Sequence, residues 1–303
     1  MTTFQRYLAE EIAVDHADGL IERREALRRL GLLGLSLAAA SALLAACAAD
    51  QGGSSQPAAT TPPAGAPSSK PGGAMAVATQ EITFAGPESR TLRGAWAPAR
   101  TPPRGGVLVI HENRGLNDHI RSVAGRLAAS GYAALAIDLL SEEGGTASLG
   151  GEAQATAALN QAPPERFVAD MRAGLSELAR RVPGKQLAMT GFCFGGGMVW
   201  LLLASGEARL AAAAPFYGPL PDGADFSGSK AAVLAIYGET DTRVNAGRDA
   251  ARTALERARL TYEIVTYQGA GHAFFNDTGP RYNQEAATQA YQRVLDWFGR
   301  YLA

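Results

Sequence analysis

Short apolar runs alternate with amphipathic stretches from about residue 78 to the C-terminus. Val107–Ile110 and Tyr132–Leu139 are continuous apolar runs, which is typical of strands buried on both faces of a parallel sheet. Between them, Ile120–Ser130 carries its apolar side chains at helical spacing, and Gly131 ends the predicted helix. This alternation predicts an α/β fold with a mostly parallel central sheet and helices on both of its faces.

The other predicted elements continue the same alternation. The first two strand-like segments flank a polar turn and are expected to pair as an antiparallel hairpin. Residues 141–164 are predicted to be an irregular, flexible wall of the ligand pocket, so no large cap domain is expected. The predicted strands are Ile82–Phe84, Leu92–Trp96, Gln186–Thr190, Ala211–Tyr217, Ala231–Tyr237 and Tyr262–Tyr267, and the predicted helices are Phe167–Arg181, Ala246–Arg259 and Gln284–Leu302.

A basic cluster precedes an uncharged apolar run near the N-terminus. Arg28 and Arg29 are followed by Leu30–Ala46, which is short for a spanning helix and has the layout of a secretory signal. The run ends with the sequence LAAC at residues 44–47, which resembles a bacterial lipobox, where the cysteine becomes the lipidated first residue of the mature protein. We therefore predict that residues 1–47 are an export signal with a lipidation site at Cys47.

Three other interpretations of the apolar run stay open: a cleaved signal without lipid, an uncleaved anchor, and a buried N-terminal helix. The pair Arg23-Arg24 resembles a twin-arginine export signal, but Glu22 and Ala26 depart from that pattern, so the export route is open. Residues 48–77 are mostly Gly, Ser, Pro, Ala and Thr, which predicts a flexible spacer. We expect residues 78–303 to be a folded domain on the periplasmic side of a bacterial cell envelope, held to a membrane by the lipid.

Charge and cysteine content narrow the class of protein. The 303 residues include 28 basic and 29 acidic side chains, a formal net charge of −1, which gives no support for a nucleic-acid binder. Only two cysteines occur, Cys47 and Cys193, so no disulfide framework is expected. Because Cys47 is assigned to the lipid, Cys193 needs an explanation of its own.

Cys193 lies in a glycine-rich turn between a predicted strand and a predicted helix. The sequence GFCFG at residues 191–195 matches the G-x-S-x-G nucleophile elbow, with cysteine in place of serine. Gly191 and Gly195 allow the strand and the helix to approach each other, and the helix N-terminus favours a thiolate. The amide of Phe194 can then face a developing oxyanion. The alternative is a buried structural cysteine.

A histidine and an aspartate follow the elbow in the order expected of an α/β-hydrolase. His272 comes directly after the last predicted strand, where a loop can place its imidazole over the elbow. Asp241 follows the preceding strand and can accept the Nδ1–H of His272. Glu239 competes with Asp241 on residue type alone, although the spacing after Gly238 favours Asp241. Cys193, Asp241 and His272 are therefore predicted to form a catalytic triad.

Four motifs together resemble dienelactone hydrolases, the carboxymethylenebutenolidase family, over roughly residues 81–302. They are HENRG at residues 111–115, GFCFGGG at residues 191–197, YGETD at residues 237–241 and GHAF at residues 271–274. The loop at residues 111–115 is expected to supply a second oxyanion amide, that of Asn113. The resemblance implies that Glu112 accepts the proton of the Cys193 thiol, and the alternative is a structural ion pair between Glu112 and Arg114.

One position departs from the pattern of that family. Dienelactone hydrolases have an arginine four residues after the catalytic histidine, where it binds the substrate carboxylate, and this chain has Asn276 there. Arg114 is another cation that could contact a substrate, so both residues are candidates for substrate binding. The other two histidines of the domain, His111 and His119, are expected to be structural because the triad needs neither.

The predicted reaction is two-step acyl transfer from a small-molecule ester or lactone to water, in which either Glu112 or the His272–Asp241 pair takes the proton from Cys193. No cofactor and no metal is expected, because the triad uses His272 and Asp241 and the chain contains no metal-binding motif. No protein partner is implied. Two alternatives stay open, namely a surface-tethered binding protein without useful catalysis, and a thioesterase or peptidase on the same fold.

Overall fold

The computed structural model describes residues 1–51 and 76–302, and its centre is one eight-stranded sheet. The strand order is β1-β2-β4-β3-β5-β6-β7-β8. The strands are β1 (Gln80–Ala85), β2 (Thr91–Ala97), β3 (Gly106–Ile110), β4 (Ala133–Asp138), β5 (Leu187–Phe192), β6 (Leu210–Phe216), β7 (Ala232–Gly238) and β8 (Tyr262–Tyr267). The helices are α1 (Thr3–Ala17), α2 (Arg23–Leu32), α3 (Leu37–Gln51), α4 (Asp118–Ala129), α5 (Glu152–Gln161), α6 (Pro164–Arg181), α7 (Phe194–Ala204), α8 (Thr242–Asn245), α9 (Arg248–Arg257) and α10 (Gln284–Tyr301).

The sheet is mostly parallel, which confirms the predicted α/β fold. Strands β4, β3, β5, β6, β7 and β8 pair in parallel with one another, whereas β2 pairs antiparallel with both β1 and β4. All residues of β3, β4, β5 and β7 are buried, as continuous apolar runs require when helices cover both faces of a sheet. In such a sheet, side chains that follow the carboxyl ends of the strands meet at one edge.

Residues 141–164 differ from the prediction of an irregular segment. Two short 3₁₀ turns lead into α5, whose Ala153, Ala155 and Leu159 are buried against the core. Alanine has the highest helix propensity, and the alanine-rich second half of the segment forms a helix once it has a surface to pack against. The predicted helix Ala246–Arg259 forms as α9, and Gly247 separates it from the short helix α8 that precedes it.

Three helices precede the sheet domain and pack onto it. Helix α1 packs against α2, α3, α5 and α7, with Phe4, Tyr7, Leu8 and Ile12 among its buried side chains. In α3, by contrast, Leu37 is 70% exposed, and no helix of the described residues is long and apolar enough to span a membrane. Most of the predicted spacer, residues 48–77, lies outside the described residues, and the division of the chain near residue 78 stays a prediction.

Candidate active site

The turn between β5 and α7 holds Cys193 in a strained backbone conformation. Its φ of 57° and ψ of −120° lie outside the regions that ordinary side chains favour. A Cβ at Gly191 would lie 2.3 Å from the carbonyl oxygen of Gly195, and a Cβ at Gly195 would lie 2.5 Å from that of His111. The two glycines are therefore required by the close approach of strand and helix, which is the sharp strand–turn–helix geometry that the motif predicts.

His272 and Asp241 lie on neighbouring loops beyond β8 and β7 and form a direct hydrogen bond. The Nδ1 of His272 is 2.6 Å from the Oδ2 of Asp241, and the Oδ1 of Asp241 accepts the backbone N–H of Val244. The Cys193 thiol and a ring nitrogen of His272 lie within 4.8 Å of each other. The three side chains predicted to form the triad are thus brought together and are all buried.

The electrostatic surroundings favour the charged form of His272. Burial would lower the pKa of its imidazole, but the carboxylates of Glu11 and Asp241 and the hydrogen bonds to Asp241 and Cys193 together raise this pKa well above its ordinary value. A protonated imidazole beside a cysteine stabilises the thiolate, which is the nucleophilic form of the residue. The imidazolium can therefore stabilise the thiolate that forms when the Cys193 thiol loses its proton.

Glu112 is buried in the same site, but its partner is not Arg114. Its Oε2 accepts a hydrogen bond of 2.7 Å from the Nδ2 of Asn276, whereas Arg114 pairs with Glu152 at 3.3 Å. The Oδ1 of Asn276 accepts from the backbone and the hydroxyl of Thr278, which fixes the orientation of the amide. Asn276 therefore orients Glu112, and the predicted roles of Asn276 and Arg114 in substrate binding stay predictions.

The two predicted oxyanion donors lie on either side of the elbow. Phe194 is the first residue of α7, so its backbone N–H has no acceptor within the helix. Asn113 is buried after β3, where its carbonyl oxygen accepts the hydroxyl of Thr156 at 3.0 Å. This bond holds the backbone of the loop that carries the predicted donor amide.

The other two histidines of the domain have structural partners, as expected. The Nε2 of His111 accepts the backbone N–H of Leu139 at 3.1 Å, so its Nδ1 carries the proton that is donated to the carbonyl of Glu112 at 2.7 Å. This bond fixes the backbone of the loop that carries Glu112. His119 pairs with Asp277 at 2.8 Å.

Tyr217 is an active-site residue that sequence reasoning missed. It follows β6 with a φ of 35°, and its ring contacts that of His272 with centroids 5.1 Å apart. Burial and the acidic groups of Glu112 and Cys193 raise the pKa of its hydroxyl well above the ordinary value. Its position after the carboxyl end of a parallel strand is the signal that would have identified it.

Helix α1 contributes two further side chains to the site, although the sequence assigns this region to an export signal. The hydroxyl of Tyr7 is 3.1 Å from the Sγ of Cys193 and 3.1 Å from the Nε2 of His272. The Oε2 of Glu11 is 3.5 Å from the same Nε2 and is hydrogen-bonded to Arg243. The pKa of Glu11 is lowered to about 2: burial would raise it, but the charges of His272, Arg243 and Arg281 outweigh burial.

Among the described residues, one group has the side-chain types and the spacing to hold a metal ion. It consists of Glu11, Cys193 and His272, whose ligand atoms lie within 4.8 Å of one another. Arg243 already engages the Glu11 carboxylate, and its guanidinium lies 4.3 Å from the centre of the Tyr7 ring. A cation would have to displace that guanidinium. The Glu11 carboxylate is therefore already engaged by a positive charge, that of Arg243.

Comparison with known proteins identifies the family of this chain. Residues 92–302 match the model of the dienelactone hydrolase family. A protein of Yersinia pestis, provisionally named a carboxymethylenebutenolidase, is 35% identical over 211 residues, which are 65% of this chain and 79% of that protein. A protein of Methylorubrum extorquens with the same provisional name is 32% identical over 221 residues, which are 67% of this chain and 75% of that protein.

Solved structures agree with this match. A crystal structure from Klebsiella pneumoniae, provisionally described as a dienelactone hydrolase, superposes with a TM-score of 0.64 and 30% identity over 74% of this chain and 100% of its own. A dienelactone hydrolase-like promiscuous phosphotriesterase from metagenomic libraries superposes with a TM-score of 0.63 and 25% identity over 75% of this chain and 100% of its own. The elbow, the sheet and these matches agree, and the chain belongs to the dienelactone hydrolase family of α/β-hydrolase-fold hydrolases.

Proposed function

We propose that this hydrolase cleaves a small-molecule ester or lactone by acyl transfer through Cys193. The observation that carries the proposal is the 2.6 Å hydrogen bond between His272 and Asp241, with the Cys193 thiol beside the imidazole at the tip of a strained elbow. This arrangement supplies a nucleophile, a base and the group that orients the base. No cofactor enters the proposed reaction.

The proposed reaction has two halves. The Cys193 thiolate attacks the substrate carbonyl, and the resulting oxyanion accepts hydrogen bonds from the amides of Phe194 and Asn113. The C–O bond of the ester then breaks, and the imidazolium of His272 gives its proton to the leaving alkoxide. In the second half His272 removes a proton from water, the hydroxide attacks the thioester, and the carboxylic acid leaves. Cys193 is released as the thiolate and takes its proton back from Glu112.

Glu112 is proposed to accept the thiol proton when substrate enters. Its buried carboxylate has one oxygen, Oε1, without a hydrogen-bond partner, while Asn276 holds the other oxygen. This unpaired oxygen is the atom proposed to accept the proton. The rate of Cys193 alkylation against pH tests this role: if Glu112 is the acceptor, Glu112→Gln should slow alkylation more than His272→Ala, which removes only the imidazolium that stabilises the thiolate.

The substrate class follows from the relatives. Two of them carry the name carboxymethylenebutenolidase, which describes hydrolysis of a lactone, and one structural relative is described as a promiscuous phosphotriesterase. The same nucleophile could attack phosphorus in an activated phosphotriester. Phosphotriester hydrolysis is therefore a second candidate activity, and carboxylic ester or lactone hydrolysis is the first.

Trapping of an acyl-enzyme tests the proposal. Aryl esters, lactones, a thioester, a peptide anilide and an aryl phosphotriester are incubated with the protein, and intact-mass and peptide mass spectrometry follow each reaction. We expect a burst of product from the aryl ester and an acyl group on Cys193 and not on Cys47. A protein that hydrolyses none of these compounds and gains no acyl group would instead be a binding protein, and preference for the thioester or the anilide would favour the thioesterase or peptidase alternative.

We also propose that the protein is exported and carries a lipid on Cys47. Arg23 and Arg24 are exposed at the start of α2, and Leu32 and Leu37 leave large apolar side chains exposed within the predicted signal. These four side chains are accessible to export machinery, which supports the proposal. Labelling of cells with a radioactive fatty acid tests the lipid, with Cys47→Ser as the control, and equal labelling of the two proteins would exclude it.

A further inference from the structure

Helix α1 occupies the position that a reacting substrate must take. The Tyr7 hydroxyl contacts both the Cys193 Sγ and the His272 Nε2 at 3.1 Å. During hydrolysis the leaving-group oxygen, and then the attacking water, must come within hydrogen-bond distance of Nε2 while the carbonyl carbon bonds to Sγ. The phenol and a substrate therefore compete for one place between nucleophile and base. With α1 docked, Cys193 is only 3% and His272 only 6% exposed.

The docking of α1 is specific over its whole length. Near its start, the Phe4 ring packs edge-on against that of Phe194, with centroids 6.2 Å apart. Phe4 also approaches α7 so closely that a Cβ at Gly197 would lie 2.8 Å from its ring. In the middle of the helix, Leu8 is completely buried. Shape and apolar burial thus place Tyr7 in register with the catalytic groups.

Charged side chains hold the second half of the helix. The buried Glu11 carboxylate bonds to Arg243 and lies 3.8 Å from Arg281. Arg281 also pairs with Asp15 at 2.9 Å and with Asp18 at 2.6 Å. Both arginines belong to the sheet domain, so the helix and the domain are complementary in charge as well as in shape. Every one of these contacts is non-covalent and can be released.

We propose that α1 is an inhibitory plug, which keeps the hydrolase inactive while it is docked and opens the active site when it undocks or is removed. The inference rests on the proposed function, since it names the regulation of the same site. The model of the family matches residues 92–302 and so does not include α1. Cleavage before Cys47 would remove α1 together with the proposed signal, and would couple export to activation.

A reversible lock tests the plug in the full-length chain. The Thr3 hydroxyl donates to the Oδ2 of Asp222 at 2.7 Å and lies 3.4 Å from its backbone nitrogen, so Thr3→Cys with Asp222→Cys should form a disulfide that fixes the start of α1. The background is Cys47→Ser, and Thr3→Cys alone is the control. We expect oxidation to slow both aryl-ester hydrolysis and iodoacetamide alkylation of Cys193 by at least about tenfold, and reduction to restore both. Equal rates in the locked and reduced forms would overturn the plug.

A variant that weakens the docking of α1 should raise the rates that the disulfide lowers. Phe4→Ala removes a buried ring that anchors α1, whereas Arg6→Ala, on the exposed side of the same helix, is its matched control. We expect Phe4→Ala to raise both rates by about tenfold or more, and Arg6→Ala to leave them unchanged. Faster alkylation with slower hydrolysis in Phe4→Ala would overturn the plug, because Tyr7 would then take part in catalysis. Alkylation is followed in every variant, so the plug is tested even if no ester is hydrolysed and the proposed function fails.

Discussion

Cys193→Ala is expected to lower kcat/KM for an aryl ester by at least about 10⁴-fold, because no other side chain can form the thioester intermediate. The elbow should survive the substitution. Alanine can keep the backbone conformation that cysteine adopts there, and it removes a single sulfur atom from a buried site. Thermal unfolding should therefore give a midpoint close to that of the parent chain.

The measurement compares this variant with Cys47→Ser, which removes the other cysteine of the chain. Activity should persist in Cys47→Ser and disappear in Cys193→Ala, both in the parent chain and in the Phe4→Ala background, where the active site is expected to be open. Comparable activity in the two cysteine variants would mean that hydrolysis uses another nucleophile.

Asp241→Asn is expected to lower kcat by about 10³- to 10⁴-fold with little change in the fold. The carboxylate accepts the Nδ1–H of His272 at 2.6 Å and so fixes the tautomer whose Nε2 faces Cys193. An asparagine amide can present its N–H₂ to Nδ1 and favour the wrong tautomer. Its side-chain oxygen can still accept the N–H of Val244, which caps the short helix α8, so stability should change little.

The pH dependence of the residual activity gives a second test of the role of Asp241. The Asp241 charge helps to raise the pKa of His272, so the pKa of the imidazole should fall in Asp241→Asn, and residual deacylation, in which the neutral imidazole is the base, should extend to lower pH. Glu239→Gln is the matched control: Glu239 lies in the same motif, is exposed, and accepts a hydrogen bond from the Gly269 amide instead. Equal losses in the two variants would show that the assignment of Asp241 is wrong.

The predicted strands agree with the structure because buried strands of a parallel sheet leave a simple mark in the sequence. The run Val107–Ile110 is wholly apolar, and the first charged side chain in the run Tyr132–Leu139 is Asp138. Both runs contain central strands of the sheet. The irregular prediction for residues 141–164 failed because the glycines at its start hid the helical tendency of the alanines that follow. Those alanines form α5 only because α1 and α2 provide a surface for them.

Helix α1 has a sequence pattern typical of an amphipathic helix. Thr2 and Gln5 form a capping box, and Phe4, Tyr7, Leu8 and Ile12 lie on one face at helical spacing. The apolar run downstream made residues 1–47 resemble an export signal as a whole, and this resemblance concealed the amphipathic helix at its start. The same segment can act as an export signal and, through α1, as the proposed plug of the active site.

The sequence by itself determined the elbow, the order of Cys193, Asp241 and His272, and the edge of the sheet where they meet. These features follow from local spacing, because a strand, a glycine turn and a helix N-terminus must be adjacent in the chain. Only the tertiary structure decided what covers Cys193. Tyr7 is 265 residues away from His272, and an apolar helix face specifies that it will be buried without specifying its partner. Shape and the charges of Arg243 and Arg281 select the active site as that partner.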